Sequence, residues 1–414
     1  MIETALVSCD DHLDLNMLPR DVWTGRMAAR WADRAPRVVE QDDGPAMWMA
    51  DGESWGSWSG VGKGFSGPKP IHTAYDRGGV ADLTELRAGN PNLRLQDMDR
   101  DSVWAHVVYG PVTSIKTDDE EFMKACYAAY NDWMFQDFCS AAPQRLIGVA
   151  MLPPHPAAAV EELKRLADTY GVGPQGVRQA NLQIAVCEPR LEDKSWEPLF
   201  ALFEETGIIL SFHVTVFPGV SKAFDKYKGS PGATFLHAKM FIEQFLDPFV
   251  DLFAWGILER HPNLKIVIAE SGVGWVPWVV EELDYRHWRL WECKEFWEDK
   301  GGIPHHTKPS ELFQRQVYGT FQQSPTAMRL TEFWGSDNLL WASDYPHPDS
   351  VWPNSVATIG KTMGHMKADQ VRGIVGGNAA KLYGIDLSKA TTKAQLDIGD
   401  SKPRSAWVSP VEAA

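Results

Sequence analysis

Cysteine is scarce in this chain of 414 residues. The five cysteines, Cys9, Cys126, Cys139, Cys187 and Cys293, are widely spaced, and no two of them form a Cys-x-x-Cys pair. An odd number of scattered thiols argues against a disulfide framework and against a zinc site built from thiolates. The first nine residues also lack the basic and long apolar stretches of a cleaved signal peptide. We therefore expect a protein of the reducing cytoplasm.

Positive charge and long apolar runs are also in short supply. The formal net charge is −15 and the pI is near 5.3, which disfavours nucleic acid and anionic membrane surfaces as partners. No apolar run approaches the roughly 20 residues that cross a bilayer. A hydrophobic content of 44% is nevertheless ample for a large core. The composition predicts a soluble protein that acts on a small molecule.

Eight short apolar or β-branched runs recur along the chain, and each is followed by a helical pattern. Alternation of strands with helices predicts a parallel sheet, and eight such units predict closure into a TIM-type (β/α)8 barrel. The expected strands cover residues 5–9, 103–110, 146–151, 176–182, 208–212, 264–269, 316–320 and 339–342.

The first two runs are separated by an unusually long connection, residues 16–100. Its glycines and its tryptophans, among them Trp48, Trp55 and Trp58, suggest a flap over the barrel mouth, although a packed excursion over the barrel flank explains them equally well. We therefore expect one barrel domain over residues 1–386 with this insertion. Residues 387–414 are rich in Ser, Lys, Thr and Pro and would form an extended arm on the surface or on a neighbouring subunit.

Polar residues of metal-ligand type follow four of the predicted strands. Parallel strands of a barrel gather their carboxyl ends on one face, so these distant residues meet there. His12 and Asp14 stand at i and i+2 and should point the same way, whereas Asp11 should point away and Asp10 would orient a ligand from behind. Imidazole and carboxylate groups suit divalent Zn, Mn or Fe. The candidate ligands are His12, Asp14, His213, Glu270 and Asp344.

Each of these residues also has an ordinary explanation. A single histidine at a strand end is more often satisfied by hydrogen bonds than bound to a metal, and an aspartate before Tyr-Pro is commonly a turn residue. The coincidence of four such strand ends in one chain of eight strand-helix units favours a metal site.

Five segments recur in a specific order along the chain: residues 9–12, 94–101, 259–275, 343–347 and 377–384. Together they resemble the amidohydrolase superfamily, in particular its branch of aminocarboxymuconate-semialdehyde and resorcylate decarboxylases. The resemblance implies that His12, His213 and Asp344 bind a metal at the ends of strands one, five and eight.

Two positions depart from that family pattern. Asp14 stands where relatives usually have a second histidine or a nearby glutamate, and Glu270 stands where many have a catalytic histidine. A glutamate there would act as a base toward metal-bound water or as a further ligand. The oxygen-rich ligand set leans toward Fe or Mn over Zn and leaves one or two ions per chain open.

Two reactions fit this site, and the departure at Glu270 favours the first. One is hydrolysis of an amide, ester or thioester by metal-activated water. The alternative is non-oxidative decarboxylation of an aromatic or unsaturated acid, because fold does not decide between chemistries. A third reading is a barrel that has lost its activity, against which the retained ligand types argue.

The remaining candidate residues complete this hypothesis. Eighteen tryptophans suggest a bulky, largely apolar substrate, or equally the packing of helices on the barrel. The family resemblance implies a homodimer. Expected catalytic residues are Asp344, Glu270 and His237, and expected substrate contacts are Arg178, His347, Trp55, Phe217 and Trp275.

Overall fold

The computed structural model describes residues 1–58, 75, 78–79, 87–111, 117–215, 227 and 230–399, without the side chains of residues 233, 234 and 236–241. The expected substrate contact Phe217 and the side chain of His237 lie outside this part. Within it, every helix is too short or too polar to span a bilayer.

The described residues contain thirteen strands, eight of which form one sheet. All neighbouring strands of that sheet run parallel, in the order β12-β11-β10-β9-β8-β7-β6-β2. The strands are β1 (Ile2–Thr4), β2 (Leu6–His12), β3 (Arg37–Val39), β4 (Ala46–Ala50), β5 (Glu53–Trp58), β6 (Val103–Tyr109), β7 (Leu146–Leu152), β8 (Gln179–Leu182), β9 (Ile209–His213), β10 (Ile266–Ala269), β11 (Val317–Phe321), β12 (Leu339–Trp341) and β13 (Ala394–Leu396).

Two backbone hydrogen bonds join the outer edges of this sheet. The Asp344 N–H donates to the Asp10 carbonyl at 3.0 Å, and the His12 N–H donates to the Tyr345 carbonyl at 2.8 Å. The first strand is thus bonded to the segment that follows the last, and the sheet curls into the predicted barrel. All eight predicted strands are confirmed, with boundaries shifted by at most three residues.

Helices alternate with the barrel strands and cover them from outside. Several begin with proline, which lacks an N–H that the first turn would leave unpaired anyway. Their apolar faces pack on outward-facing strand residues such as Leu182, Leu210 and Ile266. The helices are α1 (Pro91–Arg100), α2 (Glu120–Trp133), α3 (Pro156–Tyr170), α4 (Glu197–Thr206), α5 (Leu236–Ala254), α6 (Ile257–Arg260), α7 (Val276–Glu292), α8 (Lys294–Glu298), α9 (Pro309–Gln316), α10 (Pro325–Trp334), α11 (Ser355–Met363), α12 (Ala368–Arg372) and α13 (Asn378–Tyr383).

The described part of the insertion is packed rather than irregular. Strands β3, β4 and β5 form an antiparallel sheet, and α1 leads back into β6. Trp48 and Trp55 of this sheet are buried against Trp23 and Leu15, and the Trp48 indole donates to the Leu15 carbonyl at 2.6 Å. The insertion therefore rests on the segment that leaves the end of β2.

The described part of the C-terminal segment packs against the first strand of the same chain. β13 pairs antiparallel with β1, with Ile2 opposite Leu396. Just before it, Tyr383 at the end of α13 reaches the barrel interior, where its hydroxyl donates to Gln179 Oε1 at 2.7 Å. Since Gln179 begins β8, this helix closes the amino end of the barrel and leaves the carboxyl end for the polar residues.

Two helical glycines test how closely the C-terminal helical region packs on the strand that begins the barrel. A Cβ on Gly376 would lie 2.5 Å from the backbone oxygen of Ala5, whereas a Cβ on Gly360 in α11 would meet nothing within 4 Å. We expect Gly376→Ala to lower the free energy of unfolding by about 1–3 kcal/mol through overpacking. Gly360→Ala should raise it by about 0.5–1 kcal/mol, since alanine loses less backbone entropy in a helix. Urea unfolding followed by circular dichroism measures both, and equal stability of the two variants would contradict this packing.

Candidate metal centre

Five acidic and imidazole side chains converge at the carboxyl end of the barrel. Asp10 and His12 come from β2, and His213 is the last residue of β9. Glu270 directly follows β10, and Asp344 stands three residues after β12. His12 has no solvent exposure, and the Glu270 side chain is the most accessible of the five at 14%.

The facing atoms of these side chains lie close together. Asp10 Oδ1 is 3.3 Å from His213 Nε2 and 3.6 Å from His12 Nε2. Asp344 Oδ1 is 3.1 Å from His12 Nε2, and Glu270 Oε2 is 3.1 Å from His213 Nε2. One small centre is therefore surrounded by three carboxylate oxygens and two imidazole nitrogens.

All five facing atoms are among the buried polar atoms that lack a hydrogen bond in the described part of the chain. No group in the described part of the chain makes a hydrogen bond of acceptable geometry with any of the five. These atoms are Asp10 Oδ1, His12 Nε2, His213 Nε2, Glu270 Oε2 and Asp344 Oδ1. Buried polar atoms are normally satisfied, so a group of unsatisfied atoms facing one point needs an explanation. Asp10, His12 and His213 lie within ligand distance of one another, as do His12, Asp344 and His347. The donor set fits a divalent cation.

Asp10 is held so that only one of its oxygens faces this centre. Its Oδ2 accepts from the Thr320 hydroxyl at 2.7 Å and from the Glu270 N–H at 2.7 Å. The Glu270 N–H also contacts the Thr320 oxygen at 2.9 Å. Strands β2, β10 and β11 are thereby joined at the point where the centre lies, and Asp10 Oδ1 has no freedom to turn away.

The backbone at two of the strand ends is strained. Glu270 has φ +55° and Asp344 has φ +61°, in the left-handed region that non-glycine residues seldom adopt. Each such residue costs on the order of 1 kcal/mol and persists only where the surroundings enforce it. The sharp bend directs both carboxylates toward the barrel axis instead of along the strand.

His213 is oriented by a bond on its far side, whereas His12 is held by burial. Nδ1 of His213 lies 2.8 Å from the Val214 carbonyl, which makes Nδ1 the proton-bearing nitrogen and leaves Nε2 a lone pair toward the centre. His12 is fully buried, and burial together with the neighbouring His347 and His213 lowers its pKa well below the ordinary value. His12 is therefore neutral, the form of imidazole that binds a metal.

His347 occupies a position beside the centre. Its ring stacks on His12 with 3.8 Å between centroids, and its two nitrogens lie 2.8 Å from Asp344 Oδ1 and 3.0 Å from Asp14 Oδ2. Burial alone would lower the pKa of His347, but the two aspartates outweigh it and raise the pKa well above the ordinary value. The protonated ring links the carboxylates of Asp14 and Asp344.

Asp14 does not face the centre, although the alternation of side chains along a strand predicts that it points the same way as His12. β2 ends at His12, and the chain turns into a short 3-10 helix over Leu15–Met17. The period of two therefore stops at His12, and Asp14 faces His347 instead of the centre. The same alternation followed backward places Asp10 on the face of His12, so the sequence did contain the signal for Asp10 as a facing residue.

Asp11 faces away from the centre and organises a layer behind it. Its Oδ1 accepts from the Ser343 hydroxyl at 2.6 Å and the Tyr345 N–H at 3.0 Å. The buried Arg94 guanidinium donates to the His12 carbonyl at 3.0 Å. Burial raises the pKa of Asp11 to about 7. Sequence reasoning gave Arg94 no role, because its contact with His12 crosses more than eighty residues.

The remaining expected contacts are divided between the two ends of the barrel. Arg178 precedes β8, so it lies at the amino end, where it donates to the carbonyls of Pro143 and Pro174; it therefore cannot contact a substrate at the centre. Trp275 is half-buried before α7, and its indole donates to Ser271 at 3.1 Å, close to Glu270 in the chain. Trp55 is buried in the insertion.

Comparison with related sequences agrees with this architecture. The Amidohydro_2 (amidohydrolase) family model matches residues 104–385. The γ-resorcylate decarboxylase of Rhizobium sp. (strain MTP-10005) is 23% identical over 263 residues, which cover 62% of this chain and 75% of the relative. That of Rhodococcus jostii (strain RHA1) is 23% identical over 308 residues, 71% of this chain and 88% of the relative.

Solved structures share the fold. An amidohydrolase from Mycobacterium avium subsp. paratuberculosis K-10 superposes with a TM-score of 0.69 at 19% identity, over 94% of this chain and all of that one. The 5-carboxyvanillate decarboxylase LigW from Sphingomonas paucimobilis gives 0.61 at 20% identity, over 92% and 100%. A dihydroxybenzoic acid decarboxylase from Polaromonas sp. JS666, solved with manganese and the inhibitor 2-nitroresorcinol, gives 0.56 at 14%, over 92% and 97%. The chain belongs to the amidohydrolase family, in the branch that resembles the resorcylate decarboxylases.

Proposed function

We propose that this protein is a metal-dependent, non-oxidative decarboxylase of an aromatic carboxylic acid. The observation that carries the proposal is the set of five unsatisfied, converging ligand atoms at the carboxyl end of the barrel. The relatedness to γ-resorcylate decarboxylases supports decarboxylation over the hydrolysis that Glu270 suggested in the sequence.

Asp10, His12, His213 and Asp344 are the residues that would hold the ion. Two imidazoles and two carboxylates suit manganese, which the Polaromonas relative contains, although zinc and iron accept the same ligands. Both candidate triads use His12, and we therefore propose one ion per chain. When bound, the ion would attract the substrate carboxylate or a neighbouring oxygen and stabilise the negative charge that develops during the reaction.

Glu270 is the residue best placed to handle the proton. Decarboxylation replaces the carbon–carboxylate bond by a carbon–hydrogen bond, so one proton must reach the ring carbon as carbon dioxide leaves. Burial, and then the nearby charge of Asp344, raise the pKa of Glu270 well above its ordinary value. A carboxyl group with a raised pKa is suited to act as a general acid. Glu270 would thus take the role of the histidine that many relatives carry there.

The surroundings of the centre favour an aromatic acid. The Tyr109 ring lies 4.7 Å from the His213 ring between centroids, and Trp275 follows Glu270 at the same rim. Flat apolar walls next to a few polar groups are typical of sites for aromatic ligands. Because the net charge is −15, the protein surface as a whole does not attract an acid, and the bound cation would have to attract it.

We also propose a homodimer in which α7 packs on its own copy. This helix exposes Trp278 at 64%, Trp288 at 50% and Tyr285 at 49% of their surface. Contiguous exposed aromatics of this kind mark interaction surfaces. Glu282 and Arg289 lie equally far from a midpoint between Tyr285 and Arg286, so an antiparallel copy about a two-fold axis would place each glutamate beside the partner arginine.

A pair of aspartate variants tests the proposed ligand set. Asp10→Asn removes a facing oxygen and should weaken manganese binding by more than about 100-fold, since even loss of an outer contact costs 10–100-fold. Asp14→Asn should stay within about 10-fold of wild type, because Asp14 Oδ2 bonds to His347 and does not face the centre. Manganese titration after removal of bound metal, with elemental analysis, measures both. Equal loss in the two variants would contradict the assignment of Asp10.

Activity is tested with manganese-loaded protein and 2,6-dihydroxybenzoate, followed by chromatographic detection of resorcinol. We expect Glu270→Gln to lower kcat by about 100- to 10,000-fold while the manganese content is unchanged, because the proton donor is lost and the ligands remain. Glu292→Gln, the same substitution on the exposed part of α7, is the control. Absence of any decarboxylation of 2,6-dihydroxybenzoate or 5-carboxyvanillate, together with hydrolysis of phenyl esters, would reverse the choice of reaction.

The dimer is tested by light scattering at several protein concentrations. Trp288→Asp should weaken the dimer by about 30-fold or more, as a buried interface tryptophan commonly contributes 2 kcal/mol. Arg289→Glu should weaken it by a smaller factor, and the double variant Glu282→Arg with Arg289→Glu should restore it, since the charges are exchanged symmetrically. A wild-type monomer, or a double variant weaker than both single ones, would refute this arrangement.

A further inference from the structure

Strand β11 supplies none of the five side chains that face the metal centre, yet it bonds to all three residues that bring a carboxyl group there. Thr320 is the fourth residue of this strand, and Gln322 directly follows its last residue. Side chains two positions apart on a strand point the same way, so Thr320 and Gln322 both lie on the inner side of the barrel at its carboxyl end. Thr320 is fully buried, and Gln322 is half-buried at the rim.

The Thr320 hydroxyl holds Asp10 from a strand that is not paired with β2. Around the barrel β11 pairs with β10 and β12, so this contact reaches past β12 to the first strand. The hydroxyl oxygen accepts from the Glu270 N–H at 2.9 Å, and its proton is donated to Asp10 Oδ2 at 2.7 Å. Only a side chain that both accepts and donates can make these two bonds, which threonine and serine do and valine does not.

Gln322 holds the carboxylate of Asp344 in the same manner. Its amide nitrogen donates to Asp344 Oδ2, whereas Asp344 Oδ1 lies 3.1 Å from His12 Nε2 at the centre. In Asp10 likewise, Oδ2 is bonded to β11 and Oδ1 faces the centre. Each of these two carboxylates therefore has one oxygen fixed by a side chain of β11 and the other directed to the place where the ion would bind.

We propose that Thr320 and Gln322 are positioning residues, which together set the separation of the Asp10 and Asp344 carboxylates for the metal ion. Both donors belong to one strand of the barrel, so their spacing is fixed by the backbone rather than by a loop. Ligands that are held in place before the ion arrives bind it more tightly than ligands that must first be ordered. This inference rests on the metal centre of the proposed function and is independent of the reaction that the centre catalyses.

Manganese titration of the metal-free protein, followed by the electron paramagnetic resonance signal of free manganese, tests this role. Thr320→Val keeps the shape of the side chain without its hydroxyl, and Gln322→Met keeps the length without the amide. Each should weaken manganese binding by about 10- to 100-fold, the usual effect of losing a group that orients a metal ligand. Thr320→Ser retains the hydroxyl and should bind manganese as the wild type does.

Two further variants separate positioning from a general effect on the fold. Tyr318 lies on the same side of β11 but packs with Tyr383 at the amino end of the barrel, so Tyr318→Phe should leave the affinity for manganese unchanged. The double variant Thr320→Val with Asp10→Asn should bind no more weakly than Asp10→Asn alone, because Thr320 acts through Asp10. A purely structural role would instead add a further loss to the double variant.

The outcomes distinguish this inference from the proposed function. If Thr320→Val and Gln322→Met bind manganese as tightly as the wild type, the positioning role is refuted and the metal centre stands. An equal loss in Tyr318→Phe would also refute it, since the effect would not be local to the two donors. Gln322 is half-buried, so Gln322→Met decides the matter should Thr320→Val not fold. If the wild type binds no manganese, zinc or iron, the proposed function itself fails.

Discussion

The organisation of this protein depends on the crowding of buried carboxyl oxygens around one small volume at the carboxyl end of the barrel. Asp10, Glu270 and Asp344 direct oxygens toward one small volume, and burial lowers the pKa of His12 beside them. In a medium of low polarity such an arrangement is costly unless a cation compensates it. The rest of the barrel holds the three oxygens in place against this cost, which is why a cation is the simplest completion of the site.

The restraint is distributed over several strands rather than supplied by one. Thr320 of β11 and the backbone of Glu270 hold one oxygen of Asp10. Asp11 connects the two edges at which the barrel closes, and Arg94 holds the His12 carbonyl of β2. The two left-handed residues, Glu270 and Asp344, are tolerated because these bonds determine their conformation from both sides. Barrel closure and construction of the centre are thus the same set of contacts.

In the proposed function, Glu270 changes the chemistry of the site without changing its architecture. A histidine at this position would bring an imidazole that titrates near neutral pH, whereas a glutamate must be buried to remain protonated there. Its position beside Asp344 and away from bulk water supplies that burial, and the raised pKa follows. In the proposed function, the barrel supports a proton donor of a different type at the end of β10, with the same strand geometry around it.

Much of the fold could be predicted from the sequence because local residue patterns determine each strand and helix. The eight apolar runs each contain their own strand signal, and their alternation with helices requires no knowledge of distant contacts. His12, His213 and Asp344 were identifiable because a residue at the end of a parallel strand lies at one face whatever the loops do. The family resemblance of ordered segments such as residues 259–275 and 343–347 pointed to the same residues.

Only the tertiary structure determined the positions of residues that depend on where a strand ends or on a partner far along the chain. Asp14 and Asp10 have the same spacing from His12, and the turn after His12 alone determines which of them faces the centre. Arg178 carries a charge suited to an acid, but its place before β8 puts it at the opposite end of the barrel. Trp55 and Tyr130 meet around Trp23 only after the insertion folds back on β2. The periodicity of a sequence predicts which way a side chain points within one helix or strand. These contacts form between different elements, so periodicity could not predict them.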